Sequence, residues 1–171
     1  MTLSRALGWA LFTIWATWCF ALQGVLGHGS SWMPDLGLVL ALSLLAHLES
    51  GDAPVAALLA SLARAAVGVE APVPLLAGFL LVFALALCVR SVVELSNPLW
   101  RALCAGALVF AFQAWLALVH EVRLGSAGLA GAGFAPLAPL PAALTSSALA
   151  LLAGPLLAHL PGLTPLRRRR W

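Results

Sequence analysis

Residues 73–93 read VPLLAGFLLVFALALCVRSVV, and Arg90 is the only charged side chain among them. About 20 apolar residues of helix cross a hydrocarbon core roughly 30 Å thick, so this stretch predicts a membrane-spanning helix. Comparable apolar runs follow one another along the chain. They cover residues 6–26, 33–48, 54–69, 73–93, 99–119 and 140–160.

The composition agrees with a membrane protein. Hydrophobic residues make up 63% of the 171 residues and charged residues 9%, whereas about 25% of residues are charged in soluble domains. A transmembrane barrel would need segments of about ten residues with alternating polarity, but these runs are continuously apolar. The sequence therefore predicts an all-α, polytopic integral membrane protein. About six transmembrane helices would form one compact bundle, a single domain over residues 1–171.

Two of the runs are shorter than the others. Residues 33–48 and 54–69 are separated by the acidic segment 49–52, and they predict either tilted short spans or a re-entrant pair. The first run resembles the apolar part of a signal peptide. It is longer than such segments and lacks a clean cleavage site, so we expect a retained helix.

The distribution of arginine predicts the orientation, because the chain contains no lysine. Arg5 precedes the first run, Arg90 and Arg101 flank the turn between the fourth and fifth runs, and Arg167–Arg170 follow the last run. The positive-inside rule then places both termini in the cytoplasm. We expect the terminal arginines to contact anionic membrane lipids. Binding to nucleic acid would need a larger basic surface.

The sequence offers no catalytic, cofactor or metal-binding constellation. His47 and Glu49 are two residues apart and do not share a helical face. His120-Glu121 is not followed by a second histidine at the zincin spacing. The cysteines lie inside apolar runs without paired spacing, which favours helix packing over a disulfide or a zinc site. They are Cys19, Cys88 and Cys104.

Four residues remain as candidates for a structural or partner-binding role: Pro34, Asp35, Arg64 and Arg90. Ionisable residues inside membrane spans are functional suspects because their burial is costly. Each of the three charged candidates is also close enough to a predicted helix end to reach the interface. Pro34 is compatible with the first turn of a helix, and an aspartate there can accept from free N–H groups.

The segment Trp32-Met33-Pro34-Asp35-Leu36, followed by an aliphatic run to Leu45, resembles the MreD family. MreD is a small integral membrane protein of the bacterial rod-shape system. The similarity extends to the length, the six apolar runs and the tail from Leu160-Pro161 to the terminal arginines. Family members usually place an acid near the end of the third span, where this chain has Arg64.

The resemblance implies a non-enzymatic scaffold of the cell-shape and peptidoglycan elongation complex, in the bacterial cytoplasmic (inner) membrane. Such a scaffold binds an MreC-like single-span protein through its helices. It acts indirectly with MreB, a RodA-type glycosyltransferase and a penicillin-binding transpeptidase. The alternative is a substrate-binding subunit of an energy-coupling-factor vitamin transporter, which the family's helical arrangement also resembles.

Polar residues inside the runs help to separate these alternatives. A transporter subunit needs a polar, ligand-sized pocket, and few polar residues lie at mid-depth to form one. They are Gln23, Ser61, Gln113 and residues 145–147. Small residues at helical spacing, such as Ala57, Ser61 and Ala65, allow close packing within the chain or in a homodimer.

Overall fold

The computed structural model describes residues 3–27, 30–93, 97–126 and 135–166, and this part of the chain is helical with no strand. The all-helical prediction is therefore confirmed for these ranges. Seven α-helices follow in order: α1 Leu3–Leu26, α2 Leu36–Leu45, α3 Ala53–Val67, α4 Pro72–Val92, α5 Pro98–Ser126, α6 Leu140–Leu152 and α7 Gly154–Ala158. Single 3₁₀ turns cover Ser50–Asp52 and Thr164–Leu166.

Helix length divides the bundle into two groups. Three helices of the described chain are long and apolar enough to cross a membrane: Leu3–Leu26, Pro72–Val92 and Pro98–Gly125. Helices α2, α3 and α6 contain 10, 15 and 13 residues. At 1.5 Å per residue they measure about 15–22 Å, less than the thickness of a hydrocarbon core.

Helix α2 occupies the centre of the bundle. It packs against α1, α3, α5, α6 and α7, and every residue from Gly37 to Leu45 is buried. The sequence explains this position, because a helix that is apolar on all sides can only be covered by protein or lipid. The surrounding helices bury one face each. In α1 that face contains Phe12, Ala16 and Phe20, at intervals of four residues.

The remaining helices form a ring around α2. Neighbouring pairs are α1 with α3, α3 with α4, α4 with α5, and α5 with α6. Helix α6 ends at Leu152 because Pro155 lacks an N–H group and its ring would clash with the carbonyl of Leu151. The chain then continues through α7 to the turn Thr164–Leu166, which packs against α1.

Gly37 allows α1 and α2 to approach closely. A Cβ atom at this position would collide with the ring of Phe20, so the ring or the helix would have to shift. The aromatic ring therefore occupies the space that a side chain on α2 would need. Gly78 plays the same part between α4 and α5, where a Cβ would lie 2.8 Å from Trp115.

Three arginines lie at one end of the bundle: Arg5, Arg90 and Arg101. We call this the arginine end. Arg5 pairs with Asp52 and Glu49, which brings the acidic loop against the start of α1. The guanidinium of Arg90 donates to the carbonyl oxygens of Leu45 and Leu48, at 2.9 and 2.6 Å.

The C-terminal described residues lie at the arginine end as well. Gly8 on the first turns of α1 faces the side chain of Leu166, so both described chain ends lie at the same end of the bundle. The residues Arg167–Arg170 lie outside the described ranges. The opposite end, where α2 begins, is called the cavity end below.

Candidate functional site

Asp35 begins α2 and is completely buried. Its Oδ1 atom accepts a hydrogen bond from the backbone N–H of Leu38 at 3.1 Å, so the side chain caps the helix, as the sequence predicts. Its own N–H donates to Ser146 Oγ of α6 at 2.9 Å. Pro34 precedes this cap. The expectation that Pro34 lies within the first helical turn is therefore wrong, because helical geometry begins at Leu36.

Arg64 of α3 forms a buried ion pair with Asp35. Its Nη1 atom donates to Asp35 Oδ2 at 2.6 Å, and the two side chains are 9% and 0% exposed. The guanidinium carbon also lies 5.5 Å from the ring centre of Phe20 and 5.0 Å from that of Phe112. Aromatic faces at this distance attract a cation. The sequence left open whether these side chains are buried in the bundle or reach the interface. The fold buries them against each other.

A third polar side chain completes this cluster. Gln113 of α5 donates from Nε2 to Asp35 Oδ2 at 3.0 Å. The carboxylate of Asp35 thus accepts from α2, α3 and α5, while its backbone donates to α6. Charges removed from water are tolerated only when paired and hydrogen-bonded in this way. The cluster ties four helices together at one depth of the bundle.

The other sequence candidates lie apart from this cluster. Arg90 is half-buried at the arginine end, where it bonds to the last carbonyl group of α2, at Leu45, and to that of Leu48 in the turn that follows. Among the residues that the structure describes, no group of three or more His, Cys, Asp or Glu side chains could hold a metal ion. The three cysteines are unpaired, and Cys88 is exposed.

A cavity of about 720 Å³ lies at the cavity end, next to the Asp35–Arg64 pair. Its walls come from α1, α3, α5, the start of α6 and the loop before α2. The cavity exists because the central helix begins only at Leu36, which leaves the middle of the ring unfilled beyond that point. Its polar lining comprises Gln23, Ser30, Ser31, Arg64, Glu70 and Gln113.

The cavity corrects the sequence interpretation, which found too few polar residues to form a ligand-sized pocket. Gln23 and Gln113 are recognisable in the sequence as rare polar residues in long apolar runs. Glu70 was not singled out, since it follows the third run. Its Oε1 atom lies 3.4 Å from Arg64 Nη2, and its side chain is 39% exposed. Their convergence requires the packing of α1, α3 and α5 around one space.

Comparison of the chain with protein-family models, with curated proteins and with solved structures gives no match.

Proposed function

We propose that this chain is a multi-pass membrane scaffold that performs no chemistry itself and binds an MreC-like single-span protein through its helices. The observation that carries the proposal is the use of the buried polar groups. Asp35, Arg64, Gln113 and Ser146 bond to one another and to backbone, so they hold the bundle together. The resemblance of the Pro34-Asp35 segment to MreD supplies the identity of the partner.

The outward surface supports association within a bilayer. Large apolar side chains are exposed along the long helices, for example Leu7, Ile14 and Trp18 on α1. Such faces suit lipid chains and the helix of another membrane protein. In the proposed setting, the bacterial cytoplasmic membrane, the complex would position MreB, a RodA-type glycosyltransferase and a penicillin-binding transpeptidase for wall elongation.

The proposed topology has six membrane crossings and two cytoplasmic termini. It is supported by the chain reversals between successive helices and by the position of both described chain ends at the arginine end. Exposed tryptophans also lie at both ends, with Trp100 at the start of α5 and Trp32 in the loop before α2. Tryptophan is enriched at membrane interfaces.

Cysteine labelling tests the topology in intact cells. In a background without Cys19, Cys88 and Cys104, we expect Ser31→Cys to react with an impermeant maleimide added outside. Ser50→Cys should react only after the cells are opened. The reverse pattern contradicts the orientation, and reaction of both from outside contradicts the hairpin of α2 and α3.

Co-purification from mild detergent tests the scaffold function. The tagged chain is expressed with and without an MreC-like protein, and the isolated material is analysed by size-exclusion chromatography and mass spectrometry. We expect a stable complex of fixed stoichiometry. The double variant Asp35→Asn/Arg64→Met, which removes both buried charges, is the matched control for a structural role and should retain the complex. Purification of the chain without the candidate partner contradicts the proposal.

One observation favours a second function. The cavity of about 720 Å³ is within the range of small-molecule sites, which suits a substrate-binding subunit of an energy-coupling-factor vitamin transporter. Uptake of labelled vitamins by cells that express this chain with energy-coupling subunits is the direct test. Uptake no greater than that of cells without the chain excludes this alternative.

A further inference from the structure

Arg101 has no partner for its charge within the described chain. Arg5 and Arg64 form ion pairs with acids, and Arg90 donates to two carbonyl groups. No ion pair or hydrogen bond joins Arg101 to a described residue. Arg101 is nevertheless half-buried, and a cation that is partly removed from water is stabilised by an anion beside it.

The nitrogen atoms of Arg101 differ in their access to the surroundings. Nε is buried against α7, where a Cβ atom on Gly154 would lie 3.0 Å from it. Nη1 and Nη2 make no bond within the described chain and are not among its buried unbonded atoms, so both are accessible. Their N–H groups have the fork geometry that fits two oxygen atoms of one anion. An anion can therefore bind Arg101 without displacing a contact that already exists.

The described acids do not supply this anion. Glu49 and Asp52 lie at the arginine end, and both pair with Arg5. At the cavity end two acids pair with Arg64, and Glu121 lies about 30 Å further along α5 at the rise of a helix. The counter-charge has to come from outside the described chain.

The position of Arg101 matches the level of lipid headgroups. It is the fourth residue of α5, and the adjacent Trp100 is 49% exposed. Tryptophan is enriched where headgroups meet hydrocarbon. Leu152 and Leu156, on either side of Gly154, are strongly exposed apolar residues that suit lipid chains. The anion that a bilayer provides at this level is the phosphate of a phospholipid, and basic pockets between membrane helices bind such headgroups.

We propose that Arg101 binds the phosphate group of an anionic phospholipid at the arginine end. Nη1 and Nη2 donate to two phosphate oxygens, while Nε stays against α7. The three arginines at this end outnumber its two described acids, which favours an anionic headgroup over a zwitterionic one. The site differs from the general attraction expected for Arg167–Arg170, because it holds one lipid at a fixed position. It goes beyond both proposed functions and requires only that the arginine end lies at a membrane surface.

Native mass spectrometry of the full chain in mild detergent tests the choice of ligand. Dioleoylphosphatidylglycerol is anionic, whereas dioleoylphosphatidylcholine has the same phosphate linkage and acyl chains but is zwitterionic. Inorganic phosphate has no acyl chains. We expect one saturable site for phosphatidylglycerol and weaker binding of phosphatidylcholine. Inorganic phosphate at equal concentration should not displace phosphatidylglycerol.

Substitutions locate the site. Arg101→Met removes the donors and the charge, and it should weaken phosphatidylglycerol binding by about ten- to a hundredfold, the usual value of hydrogen bonds to a charged group. Arg101→Lys keeps the charge but loses the fork, so its loss should be smaller. Arg123→Met removes the same charge from an exposed position near the other end of α5, and it is the control that should leave the affinity unchanged. Replacement of Arg167–Arg170 by glutamine should also leave the site occupied.

Four outcomes overturn the inference. The first two are the absence of a saturable phosphatidylglycerol site and equal affinity for phosphatidylcholine. The third is displacement by inorganic phosphate at equal concentration, which would make free phosphate the ligand. The fourth is phosphatidylglycerol binding that Arg101→Met leaves unchanged, whether or not replacement of the terminal arginines abolishes it. Because the isolated chain is used, none of these results depends on a protein partner or on vitamin uptake.

Discussion

At the arginine end, Arg5 pairs with Asp52 and Glu49, and the three side chains are 31%, 14% and 58% exposed. At the cavity end, Arg64 pairs with Asp35, and the side chains are 9% and 0% exposed. Both ends join an arginine on one helix to acids beside another. They differ in how much solvent reaches the charges.

This difference in solvent exposure determines how much each ion pair contributes to the stability of the fold. Exposed ion pairs are worth about 0–1 kcal/mol, because water and salt screen the attraction and both side chains lose freedom. A buried pair need not stabilise a fold relative to apolar residues, yet removing one partner leaves an uncompensated charge. Substitution of one charged residue at the arginine end should therefore cost little stability. At the cavity end, Asp35 and Arg64 should be replaceable only together.

The largest effect is expected for Arg64→Met. The carboxylate of Asp35 would keep its bonds to Leu38 and Gln113 but lose its counter-charge. The free energy of unfolding in detergent should fall by about 3–5 kcal/mol. Chemical denaturation followed by circular dichroism measures this change.

The double variant Asp35→Asn/Arg64→Met is the control for this prediction. Asparagine still caps α2, and no buried charge remains, so most of the lost stability should return. If the single variant is as stable as the original chain, the ion pair is not maintained in a buried state. If the double variant is no better than the single one, charge compensation is not the cause.

The ion pair between Asp35 and Arg64 can be predicted from the sequence when the two residues are considered together. Residues 35 and 64 lie at nearly equal distances on either side of Glu49–Ser50, the turn that joins the second and third apolar runs. A helical hairpin around that turn brings both positions to the same depth. Opposite charges at one depth of an apolar hairpin predict an ion pair.

Helix bounds were less predictable than helix positions. The second apolar run covers residues 33–48, but the helix covers only Leu36–Leu45, because Asp35 caps its start and turns follow Ala46. The fifth run ends at 119, whereas α5 continues to Ser126 and includes the polar residues His120, Glu121 and Arg123. Hydropathy reports which residues avoid water. Caps and turns decide where a helix begins and ends.

The cavity could not be predicted from the sequence. It depends on the depth at which α2 begins within a ring of other helices, a relation between five separate segments. The individual signals, Gln23 and Gln113 in apolar runs, are visible in the sequence. Their convergence on one space is a property of packing.

The close contact that supports the buried pair gives the second prediction. Gly37→Ala would force the ring of Phe20 away from α2, and this ring also lies against the guanidinium of Arg64. We expect a loss of about 1–3 kcal/mol in the free energy of unfolding, the usual cost of overpacking. Gly24→Ala on α1, where a new Cβ meets no atom within 4 Å, is the control and should be neutral or stabilising. Equal behaviour of the two variants contradicts the close packing of α1 and α2.

A smaller effect is expected for Arg90→Met at the arginine end. The variant loses two hydrogen bonds to the carbonyl groups of Leu45 and Leu48, but Arg90 is half-buried and water can replace part of the loss. We expect the free energy of unfolding to fall by about 1–2 kcal/mol. Arg101→Met is the matched control, because its buried Nε has no hydrogen-bond partner in the described chain. A greater loss for Arg101→Met than for Arg90→Met contradicts the assigned role of Arg90.

The smallest effect belongs to Arg5, and it tests the comparison of the two ends most directly. Arg5→Gln removes the pairing with Asp52 and Glu49, but all three side chains reach solvent. The free energy of unfolding should fall by less than about 1 kcal/mol. The difference in stability from the original chain should shrink further in about 1 M NaCl, where the Debye length is near 3 Å.

Asp52→Asn should behave in the same way as Arg5→Gln. The double variant should add little to either single change, since each already breaks the pair. A loss as large as that of Arg64→Met, or one that salt does not reduce, would mean that solvent exposure does not distinguish the two ends.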